Sequence, residues 1–170
     1  GLNAALNLAQ QGFDALLIEK ESELGGLGRK VSRTIEGLDV QPYIDQLIAQ
    51  VRAHDKIRVF TEAEVTSFSG YKGNFTTKVA EGPDRTEHTI EHGVAIVATG
   101  AREYQPKEFG YGEDQGVLTQ LELDHLLHHG GNGKGPAKWQ RVAMVQCVGS
   151  RNEENPNCSR ICCQGAVKHA

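Results

Sequence analysis

The first nineteen residues constrain the fold more than any other stretch of this chain. Leu2-Asn3-Ala4-Ala5-Leu6-Asn7-Leu8-Ala9 is rich in helix formers, and Leu2, Ala5, Leu6 and Ala9 fall on one helical face. Gly12 follows where a helix ends and a positive φ is tolerated. Phe13 to Glu19 is an apolar run that reads as a buried strand closing on an acid. Helix, glycine, apolar strand and terminal acid form the second part of a βαβ dinucleotide-binding unit. The glycine-rich turn of such a unit precedes its first helix. Only Gly1 stands where the last glycine of G-x-G-x-x-G would be, so the fingerprint itself is not demonstrated. The chain opens directly in a helical pattern and closes at Lys168-His169-Ala170 in another, so it is expected to be a segment truncated at both ends.

Further along, Pro42 to His54 carries an apolar stripe of Ile44, Leu47, Ile48 and Val51, with Pro42 suited to a first turn. Lys56–Phe60, Glu64–Phe68, Asn74–Ala80 and Thr86–Glu91 alternate and are punctuated by glycine turns, which predicts an antiparallel meander. Val94-Ala95-Ile96-Val97-Ala98 is a continuous apolar run, as in a parallel strand buried on both faces. Thr119-Gln120-Leu121-Glu122 is a capping box that starts a helix ending near His129, and Gly130–Lys138 reads as a flexible loop. Arg141–Gln146 reads as another buried strand, and Cys158 onward as a loop entering a helix. The expected class is α/β: a Rossmann-like domain with an antiparallel β-meander.

Glu19 is the first candidate site residue. An acid at the end of the second strand accepts hydrogen bonds from both ribose hydroxyls of an adenine dinucleotide, although a solvated strand-end Glu would look the same in sequence. Gly25 and Gly26 allow close backbone approach to a bulky ligand, or make an ordinary turn. Ala98, Thr99 and Gly100 end the apolar run with small residues at the sheet edge where such folds bind cofactors. Ile18-Glu19-Lys20 with Leu24-Gly25-Gly26, and Val94 to Gly100, resemble the two-dinucleotide-domain flavoproteins, which include thioredoxin reductase. The resemblance implies FAD, with Glu19 on the adenosine ribose, Gly25 and Gly26 lining the flavin side, Val65 meeting the adenine through its backbone, and Gly1, Lys20, Ala98, Thr99 and Gly100 as further cofactor-binding residues.

All four cysteines lie in the last quarter: Cys147, Cys158, Cys162 and Cys163. Structural core thiols have no reason to gather so, whereas a soft metal or an iron–sulfur cluster needs several thiolates at one point. Zinc also takes four thiolates, but its structural sites favour paired C-x(2–4)-C knuckles, which the adjacent Cys162-Cys163 do not form. A redox-active thiol pair and inert core thiols are the other readings. If helical, Cys158 and Cys162 would share a face, with Arg151, Arg160 and a helix N-terminus stabilising thiolates. The seven histidines show no ligand spacing with a third partner and read as structural.

Gln146-Cys147-Val148-Gly149-Ser150-Arg151 and Cys158-Ser159-Arg160-Ile161-Cys162-Cys163 narrow the resemblance to the HdrA-like heterodisulfide reductase family, which includes the quinone-interacting oxidoreductase subunits of sulfate reducers. Phe109-Gly110-Tyr111-Gly112 and Leu121-Glu122-Leu123 extend it over essentially the whole chain. It implies an oxidoreductase subunit in which Cys147, Cys158, Cys162 and Cys163 ligate a [4Fe–4S] cluster beside FAD, working with other iron–sulfur subunits. The implied division is a partial FAD-binding domain over 1–138 and the start of a second Rossmann-like subdomain over 139–170. Where the wider family opens a second glycine-rich turn, this sequence carries Cys147, which argues against direct NAD(P)H binding. The competing readings are an NAD(P)H-dependent disulfide reductase using Cys162 and Cys163, and an inactive fragment that binds no cofactor.

Composition closes off other classes. A net charge of −4 with both signs interspersed gives no basic stripe for nucleic acid. No apolar run approaches the roughly 20 residues that cross a bilayer, and no signal peptide is visible. The expected location is cytoplasmic, with any membrane association made through partner subunits.

Overall fold

The computed structural model describes residues 1–130 and 139–170; beyond Gly130, the loop expected over Gly130–Lys138 lies outside them. The chain divides into two compact units, Gly1–Gly26 with Pro42–Gly100, and Leu27–Gln41 with Ala101–Ala170.

In the first unit, α1 (Leu2–Gln10) ends as its sequence predicts. Gly12 adopts φ 91°, its N–H donates to the Ala9 carbonyl, and the Phe13 N–H reaches back to Leu8, so the last carbonyls of the helix are satisfied. β1 (Ala15–Ile18) follows, and α2 (Gln41–Ala53) leads to β2 (Ile57–Phe60). β1 and β2 pair in parallel, from Ala15 opposite Ile57 to Ile18 opposite Phe60. Ala5, Leu6 and Ala9 of α1, Leu47 and Val51 of α2, and Ala15, Leu24 and Ile57 bury into one cluster. Full burial of a side chain such as Leu47 contributes roughly 2 kcal/mol, so this cluster is what holds both helices to the strands.

The meander is β3 (Ala63–Tyr71), β4 (Asn74–Glu81) and β5 (Thr86–His92), antiparallel in that order. It is shorter by one strand than expected. Lys56–Phe60 alternates like its neighbours in sequence, but its backbone is taken by the parallel ladder to β1. A register shift between Val65 and Ser67 puts a bulge in β3. At the β3–β4 hairpin Gly70 sits at φ 100°, and a Cβ there would come within 2.2 Å of the Asn74 carbonyl oxygen, so only glycine fits.

Two expected strands do not form. Val94–Ala98 makes no ladder and lies open, with Val94 71% and Val97 86% exposed. Ala98, Thr99 and Gly100 are therefore exposed residues of an irregular segment and not the end of a buried strand. Arg141–Gln146 likewise makes no ladder, and Val142 and Val145 expose more than half their surface. Hydrophobicity records a residue's preference for burial, whereas a strand exists only where a neighbour takes up its N–H and C=O groups. Neither run finds such a neighbour among the described residues.

The described residues of the second unit form little regular structure. A 3-10 turn spans Gly26–Lys30, and Arg33 bridges Asp39 across a short turn. α3 (Gln120–His129) carries the expected capping box: the Thr119 hydroxyl accepts the Glu122 N–H, and the Glu122 carboxylate accepts the Thr119 N–H at 2.7 Å. α4 (Cys162–His169) closes the chain. Among the described residues no helix is long and apolar enough to cross a membrane.

Candidate functional site

Glu19 and Lys20 stand at the carboxyl end of β1. Glu19 follows β1 directly, and its main chain is fully used: its N–H donates to the Phe60 carbonyl at 2.9 Å, and its carbonyl accepts the Ala63 N–H at 2.9 Å. Glu62 N–H donates to the Glu21 carbonyl at 3.1 Å, so the end of β1 is laced to the start of β3. Glu19 and the opening of the strand that carries Val65 are thereby neighbours. The half-buried Glu19 carboxylate accepts one N–H, from Glu21 at 3.1 Å. A carboxylate offers about four acceptor positions, so capacity for ribose hydroxyls remains.

Gly1 sits at the N-cap of α1, and a Cβ there would meet Leu17 Cδ1 at 3.3 Å. That is the close helix–strand packing for which the last glycine of a dinucleotide fingerprint is used. Gly25 and Gly26 both have positive φ, 111° and 50°, next to the buried Leu24. Gly1 and the Gly25–Gly26 pair thus have the local conformation, and Glu19 the unspent acceptor positions, that a dinucleotide site would need. Val65 is 52% exposed on β3 beside the bulge. Ala98, Thr99 and Gly100 are exposed, and Gly100 has φ 69°.

An open groove of about 320 Å³ lies next to Glu19, lined by residues that include Lys20, Glu62, Glu64 and Arg85. Lys20 Nζ is 2.8 Å from a Glu64 oxygen, and Arg85 flanks the other oxygen at 3.6 Å. The hydrogen bond from Lys20 holds the Glu64 carboxyl below the ordinary carboxylate range. Sequence reasoning missed Glu64 and Arg85, which lie outside β1 and carry no local motif.

The four cysteines all belong to the second unit. Cys147 has φ 62°, and its carbonyl accepts the Ser150 N–H at 3.1 Å, closing a tight turn. In that turn Gly149 lies against the Tyr104 ring, where a Cβ would come within 2.6 Å. The buried side-chain nitrogen of Gln146 has no hydrogen-bond partner among the described residues, which leaves a donor unspent beside Cys147. Cys158 is exposed ahead of α4, and its sulfur accepts the Arg160 N–H at 3.4 Å. Cys162 and Cys163 occupy the first turn of α4, and the Cys162 sulfur is 3.4 Å from the Ser159 hydroxyl. Cys158 and Cys162 therefore do not share a helical face: Ile161 caps the helix, and Arg160 at φ 60° breaks the path between them. The thiol donor set suits a soft metal centre. Among the described residues, however, no three His, Cys, Asp or Glu side chains converge closely enough to hold a metal ion.

A second polar centre, also missed by sequence reasoning, is Asp124 on α3. It is 1% exposed. One oxygen accepts the Ser32 N–H at 2.7 Å, and the other accepts from Lys168 Nζ and from His169 Nε2, the latter at 2.8 Å. Burial alone would raise its pKa, but the bonds from Lys168, His169 and Ser32 more than reverse this and hold the carboxyl well below the usual range.

The parallel pair ending in an acid, the glycine-seated helix and the meander together define a dinucleotide-binding α/β oxidoreductase fold. The chain belongs to the pyridine nucleotide-disulphide oxidoreductase family, whose model matches residues 1–145. It is 27% identical, over its whole length, to the A-type subunit of the H(2):CoB-CoM heterodisulfide,ferredoxin reductase of Methanothermobacter marburgensis. It is equally similar to the second A-type iron-sulfur subunit of the CoB--CoM heterodisulfide reductase of Methanopyrus kandleri. These agree with the resemblance drawn from the cysteine motifs. The chain spans 39% of the length of each of these relatives. Among solved structures it is similar to L-proline dehydrogenase from P. horikoshii, with a TM-score of 0.55 and 20% identity, over 74% of this chain and 25% of that one. That likeness shows the fold.

Proposed function

We propose that this chain is part of an electron-transfer flavoprotein subunit of heterodisulfide reductase type, binding FAD through residues around Glu19 and a [4Fe–4S] cluster through Cys147, Cys158, Cys162 and Cys163. The observation that carries the reading is the placement of all four thiols in one unit of a chain that also presents an acid-ended β1. Glu19 and Val65 would hold the adenosine end, Gly25 and Gly26 would line the flavin side, and Gly1, Lys20, Ala98, Thr99 and Gly100 would complete the site. When bound, FAD would exchange electron pairs and the cluster single electrons. The Arg160 N–H donates to the Cys158 sulfur, and the first turn of α4, which carries Cys162 and Cys163, would favour thiolates there. The proposed division is 1–138 for the FAD-binding part and 139–170 for the cysteine-bearing part. Partners would be the other iron–sulfur subunits of such a complex, and the location cytoplasmic.

The test is anaerobic reconstitution of the chain with iron, sulfide and FAD. Retention of about four irons per chain with broad absorption near ~400 nm is expected, and it is lost in Cys162→Ser. Protein that keeps no iron, and in which Cys162 and Cys163 form a disulfide reducible by NAD(P)H, would replace this reading with a thiol-based reductase.

A further inference from the structure

Three parts of the second unit meet at one carboxylate. The segment that follows Gly25-Gly26 contributes the Ser32 N–H; Lys168 also donates to the Arg33 carbonyl, at 3.2 Å. α3 contributes Asp124 itself, and Gln120 one turn earlier, whose side-chain oxygen lies 2.7 Å from His169 Nδ1. α4 contributes Lys168 and His169, 15% and 3% exposed. α4 has little else to hold it: it is eight residues long, and Ala166 is the residue of it that is buried. Its apolar contribution is therefore small, and polar anchoring at one end decides where the other end points. At that other end are Cys162 and Cys163.

We propose that Asp124 is the positioning residue of the thiol-bearing helix, fixing the presentation of Cys162 and Cys163 by clamping α4 at Lys168 and His169. The clamp stands on its own geometry; only its purpose, to hold thiols for an inorganic centre, rests on the function proposed above. A carboxylate suits the task because it accepts several donors at once, and those donors come from separate stretches of chain. The same carboxylate fixes Ser32, so the Ser32 segment and the helix that carries two thiols share one anchor.

The experiment is site-resolved alkylation of the intact, metal-free chain with iodoacetamide, read by mass spectrometry, with circular dichroism confirming equal folding. In Asp124→Asn, alkylation of Cys162, now half-buried, should rise about tenfold and that of Cys163 should change with it, while Cys147 and Cys158 keep their wild-type rates. His169→Phe removes one donor and leaves Lys168 and Ser32 in place. It should give the same pattern with a smaller change, and it decides the matter if Asp124→Asn does not fold. Asp124→Glu, which retains the carboxylate, should return Cys162 toward the wild-type rate. Unchanged rates at all four cysteines, or a uniform rise at all four, would overturn the positioning role. Iron uptake by the same preparations is scored separately. A wild-type chain that takes up no iron yet shows the selective alkylation pattern would sink the cluster reading and leave the clamp standing.

Discussion

The two units of this chain are each stabilised by different physics. The first is a ladder-and-core structure, in which parallel β1–β2, the three-stranded meander and an apolar cluster reinforce one another. Among the described residues the second has two α-helices, few apolar residues out of solvent, and a buried carboxylate with three donors from distant positions. An apolar core loses stability in proportion to the atoms removed. A polar hub is more brittle, because removing one member strands the others.

That contrast can be broken first at the hub. Asp124→Ala should cost about 4 kcal/mol, because Lys168 is left charged and largely buried. In urea unfolding the loss should appear in the fluorescence of Trp139, the sole tryptophan, which belongs to the second unit. In the first unit Leu47→Ala, at 5% exposure, should cost about 3 kcal/mol through the cavity it leaves. Its effect should be seen in the far-ultraviolet signal of the ladders before Trp139 responds. A shift of both signals together in either variant would mean that the units unfold as one, and the comparison would fail.

Acid sharpens the same contrast. A carboxyl whose folded pKa is depressed contributes stability that is present above its unfolded value of about 3.9 and is lost as pH falls through the lower folded value. For Asp124, faced by Lys168, His169 and His128, the stability difference between wild type and Asp124→Asn should hold level from pH 7 to about 5 and shrink progressively as pH falls below about 4. A difference that disappears between pH 7 and 5 would assign it to the histidines instead.

The elements legible in the sequence were those with local signals. α1 with its glycine stop, α2 with its apolar stripe and α3 with its capping box all carry their instructions within a few residues. The end of β1 at Glu19 was legible for the same reason. What could not be read was what depends on a distant partner. Val94–Ala98 and Arg141–Gln146 have strand composition, but composition names no neighbour for their hydrogen bonds. Asp124 looked like one more acid on a helix, because its donors stand 92, 44 and 45 residues away. The cysteines announced themselves by number and proximity, but not the left-handed residues at Cys147, Arg151 and Arg160 that bend the backbone around Cys147 and ahead of α4.

The stretch from Val94 to Ala98 has one more consequence. Its residues are β-branched or small, uncharged and free of proline, and its large side chains face water. Such a segment is an adhesive: on an uncovered chain it invites edge-to-edge self-association. Turbidity that grows with protein concentration, and that a single lysine at Val97 abolishes, would locate the stickiness there.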